Sequence, residues 1–147
     1  MNIKTDRHRA REIAIGTLYS LDMNSNLPPE GDWILFQGLN DEETDELPTA
    51  VKVYARFLIE GTIQHLEECD RLIKGYSNRP IEMIDGVDRA ILRISFFQLI
   101  YDRETHPTIV IDEAVKLSQE LSNDVSFKFI NGILDAYNRG QNDSAER

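Results

Sequence analysis

Within the first eleven residues stand Lys4, Arg7, His8, Arg9 and Arg11, opposed only by Asp6, so that the four permanent cations leave a local balance of +3. Guanidinium groups at this density bind phosphate oxygens bidentately, which suits the segment to a polyanionic ligand. A second pair with chemical spacing is His65 and Cys69, four apart and so on one helical face, the spacing of two metal ligands. Zinc takes three or four protein ligands, and neither another cysteine nor a spaced histidine pair occurs. The pair therefore reads as core, and no metal or cofactor is expected. Catalytic signatures are missing: there is no G-x-x-x-x-G-K, H-E-x-x-H, G-x-S-x-G or dinucleotide fingerprint. The adjacent acids Glu67-Glu68 and Asp112-Glu113 read as solvated helix faces, and the chain is not expected to be an enzyme.

Composition sets the frame for these groups. The chain has 147 residues, 41% of them hydrophobic, enough for one core, so a single domain over 1–147 is expected, with flexible ends at 1–5 and 141–147. The N-terminus is polar and basic without a following apolar stretch, and no segment approaches a membrane span, which points to a cytoplasmic protein with no membrane partner. A single cysteine excludes an internal disulfide framework and suits a reducing compartment. A formal charge of −10 by itself disfavours nucleic acid. The charge is segregated, however: residues 30–46 carry seven acids and no base, so the basic N-terminus survives as a local patch.

Val87 to Tyr101 is the element that must organise the rest. Its apolar residues begin as a stripe (Val87, Ala90, Ile91, Ile94) and then, through Phe96, Phe97, Leu99, Ile100 and Tyr101, occupy nearly the whole circumference. A helix apolar all round must be surrounded, and fifteen residues are too few to cross a bilayer, so its neighbours are other helices. The spacing predicts a helix over residues 6–23 with Ala10, Ile13, Ala14, Thr17, Leu18 and Leu21 inward and His8, Glu12, Ile15, Gly16 and Tyr19 facing away from the core. Residues 24–47 read as a loop, a short helix docked by Trp33 and a solvated acidic connection. Pro48 then opens one long helix to Lys74, closed by Gly75, with Val51, Tyr54, Leu58, Gly61, Thr62, His65, Cys69 and Leu72 inward.

After the Arg79-Pro80 break, Ile81 to Asp85 form a single turn. Pro107 starts a helix through Leu121 with Ile111, Ala114, Val115 and Ser118 inward and Asp112 and Glu113 in its first turn. Asn123-Asp124 is a turn and cap, and the last helix runs from Ser126 to Asn138, burying Ile130, Ile133, Leu134 and Tyr137, with Gly140 closing it. Lys128 falls on its outer face and Phe129 on its flank. No segment alternates like a strand. The fold class is all-α, a single-domain bundle of about six or seven helices around 87–101.

Two groups of residues carry a resemblance. R-H-R-A-R-E-I-A-I-G-T-L-Y-S-L-D at 7–22, and D-R-A-I-L-R-I-S-F-F-Q-L at 88–99 followed by I-D-E-A-V-K-L-S at 111–118 and S-F-K-F-I-N-G-I-L-D at 126–135, resemble the NusB transcription antitermination factor family in order and spacing. The resemblance implies an all-helical protein that binds boxA-type single-stranded RNA in nascent ribosomal RNA leaders. It implies that this happens together with NusE, a small-subunit ribosomal protein, and that the pair renders RNA polymerase in the elongation complex termination-resistant. The family's arginine-rich N-terminus maps to Arg7, His8, Arg9 and Arg11, with Lys4 beside it, and His8 stands where an arginine is frequent. The S-x-K-F turn implies RNA contact by Ser126, Lys128 and Phe129. Partner-facing positions resemble Tyr19, Glu82 and Asp88, with Asp124 in the loop beside them.

The residues read by themselves agree, since arginines beside exposed aromatics are what single-stranded RNA meets. Two other readings stay open at this level: a protein-only helical interaction module, and kinship with the NusB-like domain preceding the catalytic half of certain ribosomal RNA methyltransferases, for which 147 residues leave no cofactor-binding domain.

Overall fold

A computed structural model of the chain describes residues 5–30, 41–123 and 125–145. The described residues form seven α-helices and one 3-10 turn, with no strand: α1 Asp6–Met23, α2 Asp41–Glu46, α3 Thr49–Gln64, α4 Leu66–Tyr76, the turn Ile81–Met83, α5 Gly86–Tyr101, α6 Pro107–Leu121 and α7 Ser126–Ala145. The starts of α1, α5, α6 and α7 are capped by side chains. Thr5 Oγ1 accepts from the His8 amide at 3.1 Å, Asp85 from Val87 at 3.0 Å, His106 Nδ1 from Thr108 at 3.1 Å, and Asn123 Oδ1 from Val125 and Ser126 at 3.1 and 3.0 Å. Pro107 occupies the first turn of α6, where its missing N–H costs nothing.

Helix α5 is the centre. It packs against α1, α3, α4, α6 and α7, and every residue from Ala90 to Gln98 is buried. Phe97 lies on Gly61 of α3: a Cβ at residue 61 would sit 2.1 Å from the ring, so the close approach of α3 and α5 depends on glycine there. The two arginines of α5 bind the bundle electrostatically. Arg89 donates to Asp22 of α1 and to the Ile81 and Ile84 carbonyls, and Arg93 forms a two-pronged contact with Asp70 of α4 at 2.8 and 3.2 Å while also reaching Asp22. Their charges are neutralised and their donors spent, as burial requires.

Several sequence expectations change. The helix from Pro48 to Lys74 is two helices, because His65 leaves helical geometry (φ −111°, ψ 26°) while the backbone bonds into and out of it persist. Its ring instead stacks on Tyr101 at 4.0 Å between centroids. Gly75 does not cap α4, which runs to Tyr76 and closes at Ser77; α7 likewise continues past Gly140 to Ala145. An interior glycine costs a helix only about 1 kcal/mol, which packing outweighs. Part of the acidic connection is helical, as α2. Asp112 and Glu113 fall in the second turn of α6, not the first. Ile15 and His8 are buried, because α1 is covered on two sides, by α3 and α5, and His8 additionally meets α6. The short helix expected at Trp33 lies outside the described residues. No helix is long and apolar enough to cross a membrane among the described residues.

Candidate nucleic-acid interface

The N-terminal turn of α1 sorts its cations by burial. Arg7 and Arg9 are exposed, whereas Arg11 is 3% exposed and His8 8%. Arg7 lies over the Tyr54 ring with its guanidinium carbon 3.8 Å from the centroid, a cation–π contact that holds the cation in place. Arg11 spends its donors internally: Nη2 reaches the Tyr54 hydroxyl at 3.5 Å, Nη1 lies 3.7 Å from Glu113, and the Gln98 amide oxygen, turned toward it, accepts from Nε and Nη2 at 3.3 Å. Tyr54 passes the network on by donating to Asp102 at 2.7 Å. Arg11 therefore joins α1 to α3, α5 and α6 rather than standing on the surface, a correction to the expectation that it contacts RNA.

His8 is corrected in the same way. Its Nδ1 pairs with Glu113 at 2.7 Å and its Nε2 with Glu120 at 3.1 Å, both on α6, and with Glu12 at 3.2 Å. Burial alone would lower its pKa, but the hydrogen bonds and charges of Glu113 and Glu120 outweigh that and hold it above the ordinary 6.5. The histidine turns inward and clamps α1 to α6.

The second expected RNA group lies at the start of α7. Lys128 is exposed and lines a groove of about 490 Å³ with Asp112, Val115, Lys116, Phe127, Asn131 and Gly132. Ser126 is buried, its hydroxyl accepting from Ser122 at 3.2 Å and its amide capped by Asn123, so it helps to shape the helix start. Phe129 is half-buried, with Arg79 stacked over its ring at 4.1 Å. Helix α6 is the wall between the two groups. Its Glu113 anchors His8 while Asp112 and Lys116, on an adjacent face, line the groove of Lys128.

The partner-facing positions divide as well. Tyr19 is 38% exposed and rests against Gly86, where an added Cβ would meet its ring at 2.9 Å, and Glu82 is exposed in the 3-10 turn just before. Asp88 is only 2% exposed, with Oδ1 lacking a hydrogen-bond partner, so it is interior to the helix start and not free to meet a partner's surface. Lys4 and Asp124 lie outside the described residues. Tyr54 and Arg79 were missed as site residues: one read as core and the other as part of a chain break. Neither has a local signature, since the stacking partners, Arg7 and Phe129, are 47 and 50 positions away.

Known proteins place this geometry. The NusB family pattern matches residues 8–139. A transcription antitermination protein NusB from a Nitratiruptor species is 38% identical, covering 88% of this chain and 89% of its own, and one from Thermodesulfovibrio yellowstonii is 32% identical, covering 96% and 99%. Among solved structures, T. maritima NusB aligns with a TM-score of 0.77 at 27% identity over 91% of each chain. A structure of the antitermination factors NusB and NusE in complex with double-stranded RNA aligns at 0.75 and 28%, covering 91% of this chain and 96% of that one. A helical bundle with this element order, an arginine-rich first helix and sequence relatives along nearly its whole length belongs to the NusB family of transcription antitermination proteins.

Proposed function

We propose that the chain acts in the cytoplasm as a transcription antitermination factor, without catalysis of its own, by binding boxA-type single-stranded RNA in nascent ribosomal RNA leaders together with the ribosomal protein NusE. The observation that carries this reading is the sorting of the N-terminal cations: Arg7 stacked on Tyr54 and Arg9 exposed, on a helix whose other two basic residues, His8 and Arg11, are used as anchors. A helix start pinned by buried partners presents its outer guanidinium groups at fixed positions, which lowers the ordering cost of binding phosphates. Lys128, across α6, extends the positive path, and Phe129 with Arg79 above it adds a planar surface on which an unstacked base can lie. Lys4 belongs to the same strip by sequence.

The partner reading rests on relatives, since a neighbour was solved with NusE and RNA, and on charge. At −10 the chain repels RNA at long range, and a basic ribosomal protein seated beside Tyr19 and Glu82 would offset that and lengthen the positive surface. The assembly would act on RNA polymerase in the elongation complex. The decisive experiment is RNA binding by the protein with Arg7→Ala and Arg9→Ala together, against a boxA-type single strand and its duplex. Affinity for the single strand should fall by more than about tenfold with an unchanged circular dichroism spectrum, as expected when two charge-assisted phosphate contacts are lost. Unaltered affinity sinks the assignment, and equal binding of the duplex sinks its single-strand part.

A further inference from the structure

The groove of about 490 Å³ between α6 and α7 has the size of a small-ligand site. Asp112 and Lys116 line it from α6, and Phe127, Lys128, Asn131 and Gly132 line it from α7. Asp112 and Lys116 are four apart, as are Phe127 and Asn131, so each helix presents an ordered row of side chains to the groove. At Gly132 the wall is backbone alone, and an added Cβ would meet no atom within 4 Å. A helix interior favours alanine over glycine, and the packing here would admit a side chain; its omission leaves the groove open at that point.

The chemistry of the lining is that of a nucleotide site. Lys116 and Lys128 are both exposed, one on each wall. The carboxylate nearest Lys116, that of Glu113 at 4.0 Å, already serves His8 at 2.7 Å and Arg11 at 3.7 Å, so the Lys116 ammonium keeps its charge for an outside anion. Lys128 Nζ stands 6.0 Å from the centroid of the Phe127 ring, which places a cation beside an aromatic face. Asn131 is exposed and its carboxamide, donor and acceptor together, is spent on no hydrogen bond among the described residues. Asp112 adds an acceptor. Two cations against one acid make the groove locally positive in a chain of −10, complementary to a phosphate. Apart from Val115 and Phe127 the lining is polar or bare backbone, which suits a nucleotide better than the apolar face of a partner helix.

We propose that this groove holds one nucleotide of a bound RNA single strand. Lys116 and Lys128 take its phosphate, Phe127 takes a face of its base, and Asn131 with Asp112 meets the hydrogen-bonding edge of that base. The inference rests on the RNA-binding reading and adds to it a point of base selection, which phosphate contacts by the α1 arginines do not supply.

The test measures binding of a labelled boxA-type single strand, and of the same strand in scrambled order, to the full-length chain by fluorescence anisotropy. Gly132→Leu puts a good helix former into open space and fills the groove, so the thermal midpoint should not fall while RNA affinity drops about tenfold or more. Lys116→Gln should weaken binding about two- to fivefold. Asn131→Ala should cut the ratio of boxA-type to scrambled affinity about fivefold or more. Lys116 and Asn131 are exposed, so these two variants read the groove even where leucine disturbs the fold. Unchanged RNA affinity in Gly132→Leu and Lys116→Gln, beside a loss in the protein with Arg7→Ala and Arg9→Ala, overturns the groove and leaves the RNA-binding reading standing. A wild-type chain that binds neither strand overturns both. Normal RNA binding by Gly132→Leu with loss of a basic ribosomal protein would give the groove to a protein partner instead, and an unchanged affinity ratio in Asn131→Ala would remove base selection.

Discussion

Arg7, Arg9 and Arg11 are the same residue type within one and a half helical turns, yet burial gives them different work. Replacing Arg11 by Ala should leave Gln98 and Tyr54 with unmet hydrogen-bonding groups and destabilise the fold by about 1 to 3 kcal/mol, read by urea unfolding. Arg9→Ala should cost under about 0.5 kcal/mol in the same assay while weakening RNA binding. A matched loss of stability in both variants would show that the division is wrong. Cys69 offers a test that is independent of RNA. Burial, reinforced by the charges of Asp70 and Glu68, pushes its thiol up to about 12. The folded protein should therefore resist thiol-reactive dyes at about pH 8 and react fully once unfolded. Between the ordinary thiol value of 9.0 and about 12 the unfolded chain ionises and the folded one does not, so stability falls as pH rises across that window. Cys69→Ala should make this slope shallower, leaving the part that Tyr101 and Tyr137, both also raised above the ordinary phenol value, contribute with the same sign.

At the scale of elements, the contact of α3 with α5 is a helix crossing that a single position controls. Phe97→Ala removes a 3%-exposed ring and should cost about 3 to 5 kcal/mol. Gly61→Ala acts from the other side: its new methyl group would overlap the Phe97 ring, forcing the helices apart at a cost of about 1 to 3 kcal/mol. Because both changes act on one contact, their effects should not add, and a double-mutant cycle measures the coupling directly. Additive losses would mean that the two helices are held elsewhere. Helix α6 has the complementary task of carrying the anchor of α1 on one face and the groove of Lys128 on the next, so both halves of the proposed RNA surface move with it.

At the scale of the whole molecule, net charge and local charge oppose each other. If Arg7, Arg9 and Lys128 neutralise about three phosphates, the log–log salt slope for single-stranded RNA should be about −2. A basic partner should tighten RNA binding by the same factor by which RNA tightens partner binding, typically about 5 to 150-fold. Glu82→Lys should weaken that association and remove the enhancement, leaving RNA binding by the isolated chain unchanged or slightly stronger. Asp88→Lys is not an equivalent probe, because it would bury a long cation at a 2%-exposed position and report on folding instead. A partner that adds nothing to RNA affinity would remove the heterodimer from the proposal.

The amino-acid order alone determined the helices whose patterns are periodic and punctuated: α1 and α6 fall at the expected residues, and α5 is surrounded as its all-round apolar character requires. Short-range caps and a 3.6-residue period are local properties, so they can be read without a fold. The break at His65 was not legible, because its ring answers to a residue on another helix, Tyr101, and nothing in the neighbouring residues announces it. The basic cluster was legible as a cluster but not as a division of labour. Which cations stay outside depends on what α3, α5 and α6 bring against α1: Tyr54 beneath Arg7, Gln98 and Tyr54 around Arg11, and Glu113 and Glu120 on His8. Burial and charge pairing are sums over residues distant in sequence, and only tertiary packing fixes those sums.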